Sequence, residues 1–268
     1  MKKCAKILFY SLAISAFLWC RGNAGKKESP TASEVTVTTF EHHEIYKLDK
    51  NASESPTLEF DFSLSLIETD DSIATANINR VIAYTLFESN KSSIEEGCRD
   101  FMEHRKIEYK ELLPIYNESH EEGDETWFSS YYIGNSEVKE GYKGLLNYIT
   151  MWEAYSGGAH PISYYTVLNF NPETGEEIVL DEILKEGYEE ALTNLLIANL
   201  AKQLQVEGIE GIREKGYLYF DNEMFISNNF ILGKEKISFI YNVYEIAPYA
   251  FGEIVIDITY EELKDLLK

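Results

Sequence analysis

The chain has 268 residues, 44% of them hydrophobic, and a formal charge of −22 at neutral pH. That composition is ordinary for a globular protein, and its acidity argues against nucleic acid as a partner: the field repels phosphate backbones and anionic lipid headgroups and attracts cations. The three cysteines, Cys4, Cys20 and Cys98, leave Cys98 alone in the folded part, where no intramolecular disulfide can form.

Met1–Lys6 is a basic start, and Ile7–Trp19 is an apolar run of thirteen residues. A bilayer span needs roughly 20 residues, so residues 1–24 are expected to be an export signal. Cys20 directly follows the apolar run and precedes a polar stretch, as in a lipoprotein whose cysteine is acylated, although Trp19 stands where a small residue is usual. Ordinary cleavage after Gly22-Asn23-Ala24 is the other route. Removing the four cations of residues 1–24 takes the formal charge from −22 to −26. Residues 25–34 form a tether, and the protein is expected in the periplasm or on the outer surface, touching a membrane only through its lipid.

A β segment is predicted over 35–48, followed by a turn at Asn51–Pro56. Leu58, Phe60, Phe62, Leu64 and Leu66 then alternate with polar residues, the period of a half-buried strand. Asp70-Asp71-Ser72 can cap a helix carrying Ile73, Ile78, Val81, Ile82 and Phe87 at helical spacing. A second helix is predicted from Ser92 or Ser93 to about Leu113, with Cys98 packed on its apolar face. His120–Asp124 is an acidic loop, and 126–133 and 144–155 are aromatic-rich strands. Gly157–Pro161 breaks the chain before a strand over 163–170, and Asn171–Gly175 is a turn. Asp181 is expected to cap a short helix, and a longer one runs from Tyr188 to about Val206. Strands follow at 225–232, 237–244 and 254–258. A capping box of Thr259 and Glu262 starts a final helix. The fold class is α+β, with two mixed subdomains, 35–140 and 141–268, each an antiparallel sheet packed against amphipathic helices.

No metal or nucleophile motif stands out. His42 and His43 are neighbours on a predicted strand and face opposite sides, so they do not converge on an ion. His-Glu-x-x-His, Cys-x-x-Cys, Gly-x-Ser-x-Gly and nucleotide fingerprints do not occur in the sequence. No cofactor or metal is expected.

One resemblance is specific. Tyr155-Ser156-Gly157-Gly158-Ala159-His160 is followed by Tyr164-Tyr165, Leu168-Asn169-Phe170, Thr174-Gly175 and Leu180-Asp181-Glu182-Ile183-Leu184. Farther on stand Tyr244-Glu245-Ile246-Ala247-Pro248-Tyr249-Ala250, Gly252 and Tyr260-Glu261-Glu262-Leu263. This pattern resembles the extracytoplasmic region of the RsiV anti-sigma factor and the non-catalytic amino-terminal region of PdaC-type peptidoglycan deacetylases. It is strong over about 145–267 and weaker over about 35–140. The resemblance implies an α+β module without a catalytic centre, which in RsiV is a receptor for lysozyme. Only Met1–Lys6 precedes the apolar run, and the deacetylase motif is missing, so neither an RsiV-type regulator nor a deacetylase is expected.

The expectation is therefore a non-enzymatic, exported binding module. Its contact candidates are Gly157, Gly158, His160, Tyr164, Tyr165, Tyr244, Pro248 and Tyr249; its partner is a basic lysozyme-like protein or a peptidoglycan fragment. The alternatives are a glycan-acting enzyme using His160 with Glu153 or Glu245, and a structural envelope lipoprotein.

Overall fold

The alternation of Leu58, Phe60, Phe62 and Leu64 builds β2 (Thr57–Thr69), which pairs antiparallel with β1 (Val35–Lys47) along its whole length. The structure, a computed structural model, describes residues 34–119, 125–219 and 223–268. The expected signal, Cys20, the tether as far as residue 33 and the loop His120–Asp124 lie outside the described residues. On its other edge β2 meets β3 (Ser130–Glu140); β4 (Leu146–Tyr155) and β5 (Ile162–Phe170) complete a five-stranded sheet in chain order.

The β2–β3 pair is parallel, which corrects the expectation of antiparallel sheets. Parallel neighbours need a long crossover. It is supplied by α1 (Ser72–Phe87), α2 (Ile94–Lys110) and the short helices α3 (Leu113–Ser119) and α4 (Glu125–Phe128). Asp71 caps α1 by accepting from the amides of Ile73 and Ala74, and Ser93 caps α2 by accepting from Glu96. These helices pack on one face of the sheet. Phe60, Phe62, Phe87, Phe101, Tyr132 and Trp152 form a connected aromatic core there, with ring centroids such as Phe62–Trp152 at 5.3 Å and Phe101–Tyr132 at 5.3 Å. Cys98 is buried in that core, and burial pushes its thiol up to about 12, so it packs as an apolar residue.

The second layer is α6 (Glu189–Leu204) and α7 (Gly208–Glu214) over an antiparallel sheet of β6 (Phe230–Leu232), β7 (Lys236–Tyr241) and β8 (Ile254–Thr259). Leu192, Leu196 and Leu200, four residues apart, bury one face of α6 with Phe239, Ile256 and Ile258.

Several expectations are corrected. Residues 126–128 are helical, in α4, because Tyr116 and Phe128 pack ring to ring at 5.3 Å ahead of the strand. Asp181 lies inside the short helix α5 (Leu180–Ile183) instead of capping it, and accepts a bond from the Tyr188 hydroxyl. Residues 225–229 lie outside β6; there the Ser227 hydroxyl donates to the Ile240 carbonyl. Thr259 and Glu262 do exchange capping-box bonds, yet only turns follow, and the end of the chain is held by a bridge between Leu267 and Leu184. The expected boundary at 140/141 falls between β3 and β4, inside the five-stranded sheet.

Four asparagine side chains join the two sheets. From the larger sheet, Asn147 receives the Leu232 amide at 2.7 Å and donates to the Leu232 carbonyl at 3.2 Å, and Asn169 donates to the Phe230 carbonyl at 2.9 Å. In return, Asn229 receives the Val167 amide at 2.7 Å, and Asn242 receives the Tyr165 amide at 2.7 Å; both donate to the Tyr165 carbonyl at 3.0 Å. Each primary amide offers a donor and an acceptor side by side, as a backbone does. The free edges of β5 and β6 are thereby covered without direct strand pairing. Ile149, Val167 and Ile240 make a small apolar cluster beside these bonds.

Asn147 is 1% exposed, so Asn147→Ala removes the side-chain donor to the Leu232 carbonyl in a dry place and leaves the Leu232 amide only its longer bond to Asn169, at 3.4 Å. The expected cost is about 2–4 kcal/mol by urea unfolding; unchanged stability would mean that the amide bridges contribute nothing. Gly141→Ala attacks the same joint from outside, because a Cβ there would stand 1.9 Å from the Leu232 carbonyl oxygen and 2.3 Å from Asn147 Nδ2. It should cost at least about 2 kcal/mol and speed hydrogen exchange at the Leu232 amide. A third expectation concerns acid. Lys106 of α2 bonds Glu44 of β1 at 2.8 Å, and chiefly that bond holds the Glu44 carboxyl below its usual 4.5. This stabilisation is complete above the ordinary carboxylate range and is lost as pH falls through the lowered value. Lys106→Gln should therefore flatten the acid limb of the stability profile.

Candidate functional site

The joint between the sheets brings two loops together: Gly157–Pro161, between β4 and β5, and the segment from Tyr244 to Gly252, between β7 and β8. The His160 ring lies flat on the Tyr249 ring, centroids 3.9 Å apart and planes 19° apart. The Tyr249 hydroxyl donates to the Pro161 carbonyl at 3.0 Å, so one tyrosine both stacks on the first loop and fastens to it. His160 Nδ1 lies 2.9 Å from the same carbonyl, which makes Nδ1 the donor and leaves Nε2 to accept from the Tyr244 hydroxyl at 3.4 Å.

Backbone geometry positions these rings. Tyr155 donates to the Gly158 carbonyl at 2.9 Å and closes the first loop. Gly158 has φ 104 and Gly252 has φ 69 with ψ −160, conformations that suit glycine. Pro248 leads into a 3₁₀ turn of Tyr249–Phe251, and Gly252 ends it. Tyr244 itself holds φ 71 without being glycine, and the residue stays 48% exposed. A tyrosine kept in the left-handed region costs about 1 kcal/mol.

The surface continues onto the larger sheet. Glu153 and Tyr155 alternate on β4 and so share a face, with Tyr131 on the neighbouring strand. Tyr131 donates to Glu153 at 2.7 Å and stacks on Tyr155 at 5.8 Å. Burial, followed by the Glu153 carboxylate, pushes the Tyr131 phenol up to about 12. Glu245 receives the Asn242 amide at 2.7 Å, and burial raises its carboxyl above 4.5. His160 thus has a carbonyl and a phenol as its bonded partners, while Glu153 and Glu245 are engaged elsewhere. The arrangement offers ring faces, hydroxyl edges and acidic charge.

Of the residues singled out from the sequence, His160, Tyr244 and Tyr249 come together, with Gly157, Gly158 and Pro248 shaping the loops that carry them. Tyr164 and Tyr165 separate, as adjacent strand residues must. Tyr165 packs between the sheets beside Ile149, Val167 and Ile240. Tyr164 lies on the helix-covered face, stacked on Trp152 at 6.5 Å. Tyr131 and Glu153 were not among the contact candidates, Glu153 having been named only as an acid beside His160 in the enzyme alternative; period-two alternation along β4 is the signal that could have placed it with Tyr155.

Residues 181–261 match the family model described as a protein of unknown function, DUF3298. That stretch holds α6, α7, the three-stranded sheet and the Tyr249 loop, and leaves the His160 loop outside it. No curated protein matches the sequence. Among solved structures, a member of the DUF3298 family from Bacteroides fragilis NCTC 9343 is similar at a TM-score of 0.76 and 29% identity, over 88% of this chain and 95% of that one. A DUF3298 family protein from Pseudomonas aeruginosa PAO1 is similar in fold, with a TM-score of 0.60 at 16% identity, over 88% of this chain and 96% of that one. The chain thus carries a DUF3298 match over residues 181–261 on a fold shared with DUF3298 structures.

Proposed function

We propose that this chain is an exported, non-catalytic binding module, lipid-anchored through Cys20, and that its ligand is a basic protein of the lysozyme kind. The observation that carries the reading is the stack of His160 on Tyr249 with Tyr244 beside it, an aromatic cluster built by two loops and left open to solvent. Interfaces favour such rings because they bury large area at low entropy cost and keep a polar tip. The strained φ of Tyr244 supports it, since strain concentrates where a side chain must be presented. The formal charge of −22 steers a cation to the surface, by roughly 10 to 10³ in on-rate at low salt. The resemblance of residues 145–267 to the lysozyme-binding region of RsiV supplies the ligand class.

Lysozyme should bind the chain from Lys26 onward more tightly than an unrelated protein of equal positive charge, measured by calorimetry. Binding should persist near physiological ionic strength, where charges more than about 8 Å apart are screened. Equal binding of the two proteins would overturn the proposal. Tyr244→Gly separates recognition from folding. It relieves the left-handed strain and removes a half-exposed ring, so the melting temperature should hold within a few degrees while affinity falls about tenfold. Unchanged affinity would place the contact surface elsewhere.

A further inference from the structure

The two edges of the larger sheet are treated differently. At β5 the asparagine amides described above answer the open backbone, whereas β1 ends the sheet on its other side with no strand beyond it among the described residues. The hydrogen bonds around β2 show which groups of β1 are left over. The Leu48 amide, just past β1, donates to the Pro56 carbonyl at 2.9 Å, and the Ser65 amide, opposite Thr39, turns away from β1 to the Ser136 hydroxyl at 2.7 Å. Bonded and non-bonded pairs alternate along an antiparallel ladder. Even-numbered residues of β1 therefore bond β2, and the odd-numbered residues from Val35 to Lys47 point their N–H and C=O to the free edge. Among the described residues no backbone hydrogen bond reaches them from that side.

Exposed edges are ordinarily blunted by proline, a bulge, a lysine or a short strand. β1 carries no proline and no bulge: its ladder with β2 runs unbroken for 13 residues, and its one lysine, Lys47, is the last of them. Thr36, Val37, Thr38 and Thr39 are all exposed, a run of β-branched residues suited to further pairing. Val37 is 45% exposed and Ile45 55%. Charge sets the strand apart as well, because two acids, Glu41 and Glu44, against one cation, Lys47, leave β1 a formal −1 in a chain of −22.

We propose that this edge pairs with the same edge of a second copy, β1 against β1 antiparallel, so that two five-stranded sheets join into one. Two strongly acidic chains repel each other, which favours contact through a segment of low charge. The strand is also complementary to itself. Val37 and Ile45 lie four residues on either side of Glu41 and share a face. A two-fold axis at Glu41 sets each Val37 against the Ile45 of the other copy and each Thr39 against a His43. Odd-numbered residues then face odd-numbered residues, as edge-to-edge hydrogen bonding requires. The two Glu41 carboxylates meet at the axis, and like charges directly opposite limit the affinity. The His160 loop joins β4 to β5 at the other side of the sheet, so a dimer presents two tyrosine surfaces at once.

The test is sedimentation equilibrium of the chain from Lys26 onward, which holds every described residue, read together with amide hydrogen exchange. A dimer should form in the micromolar range. The amides of Val37, Thr39, Glu41, His43 and Ile45 should slow as concentration rises, while those of the even-numbered residues are slow throughout. Thr39→Pro removes an edge-facing amide and leaves the bonds to β2 in place, so it should weaken the dimer at least about tenfold. Two double variants at exposed positions test the register even if the proline variant fails to fold. Val37→Glu with Ile45→Lys opposes unlike charges across the pair and should keep the dimer, whereas Val37→Lys with Ile45→Lys opposes like charges and should abolish it. Glu41→Thr, which removes the like pair at the axis, should tighten it. A monomer at every concentration, full affinity in Thr39→Pro, or equal behaviour of the two double variants would overturn the proposal. A monomer whose odd-numbered amides are already slow would mean that another part of the same chain covers the edge, and would overturn it equally. Tyr244→Gly should dimerise normally, which keeps this result separate from that of the tyrosine surface.

Discussion

Four primary amides hold the two sheets of this protein together. Asn147 and Asn169 reach from the larger sheet to the backbone of β6, and Asn229 and Asn242 reach back to the backbone of β5. A carboxamide is the one side chain that copies both halves of a peptide group. Strand edges that would otherwise be open are therefore satisfied by side chains, and the two sheets meet without merging into one ladder. Gly141 is needed at the same point, because any side chain would collide with the Leu232 carbonyl and the Asn147 amide.

The tyrosine surface follows from that joint. β4 and β5 end in the His160 loop, and β7 and β8 in the Tyr249 loop. Because Asn242 fixes the Tyr165 backbone beside the end of β7, the two loops meet and Tyr249 can both stack on His160 and bond Pro161. The geometry of the tyrosine surface and the stability of the fold thus depend on the same amides, although no asparagine of the set touches the exposed rings in the bonds described above.

Charge is distributed with similar economy. The acids solvate the surface and set the long-range field, while the few cations are placed one at a time. Lys106 is bonded between two carboxylates and ties α2 to β1, whereas Arg105, one residue earlier, lies on aromatic rings and bonds Glu108 on its own helix. Consecutive residues on a helix face different surroundings, so two neighbouring cations serve separate purposes.

The sequence by itself determined the α+β class, the strands at 35–47 and 57–69, both capped helices of the crossover and the turn before Glu176, because periodicity, capping and turn chemistry act over a few residues. It also located the two glycine-containing loops. What it did not determine was the parallel pairing of β2 with β3, the helical turn at Glu125–Phe128 and the absence of a regular last helix, since each is decided by which surface a segment meets. The asparagines were visible as residues that strands disfavour, but their partners lie roughly 60 to 85 positions away. Tyr164 and Tyr165 show the division most clearly. Alternation alone sent them to opposite faces, and only the tertiary structure decided that one lies beside Arg105 and the other between the sheets, because the contents of each face come from distant parts of the chain.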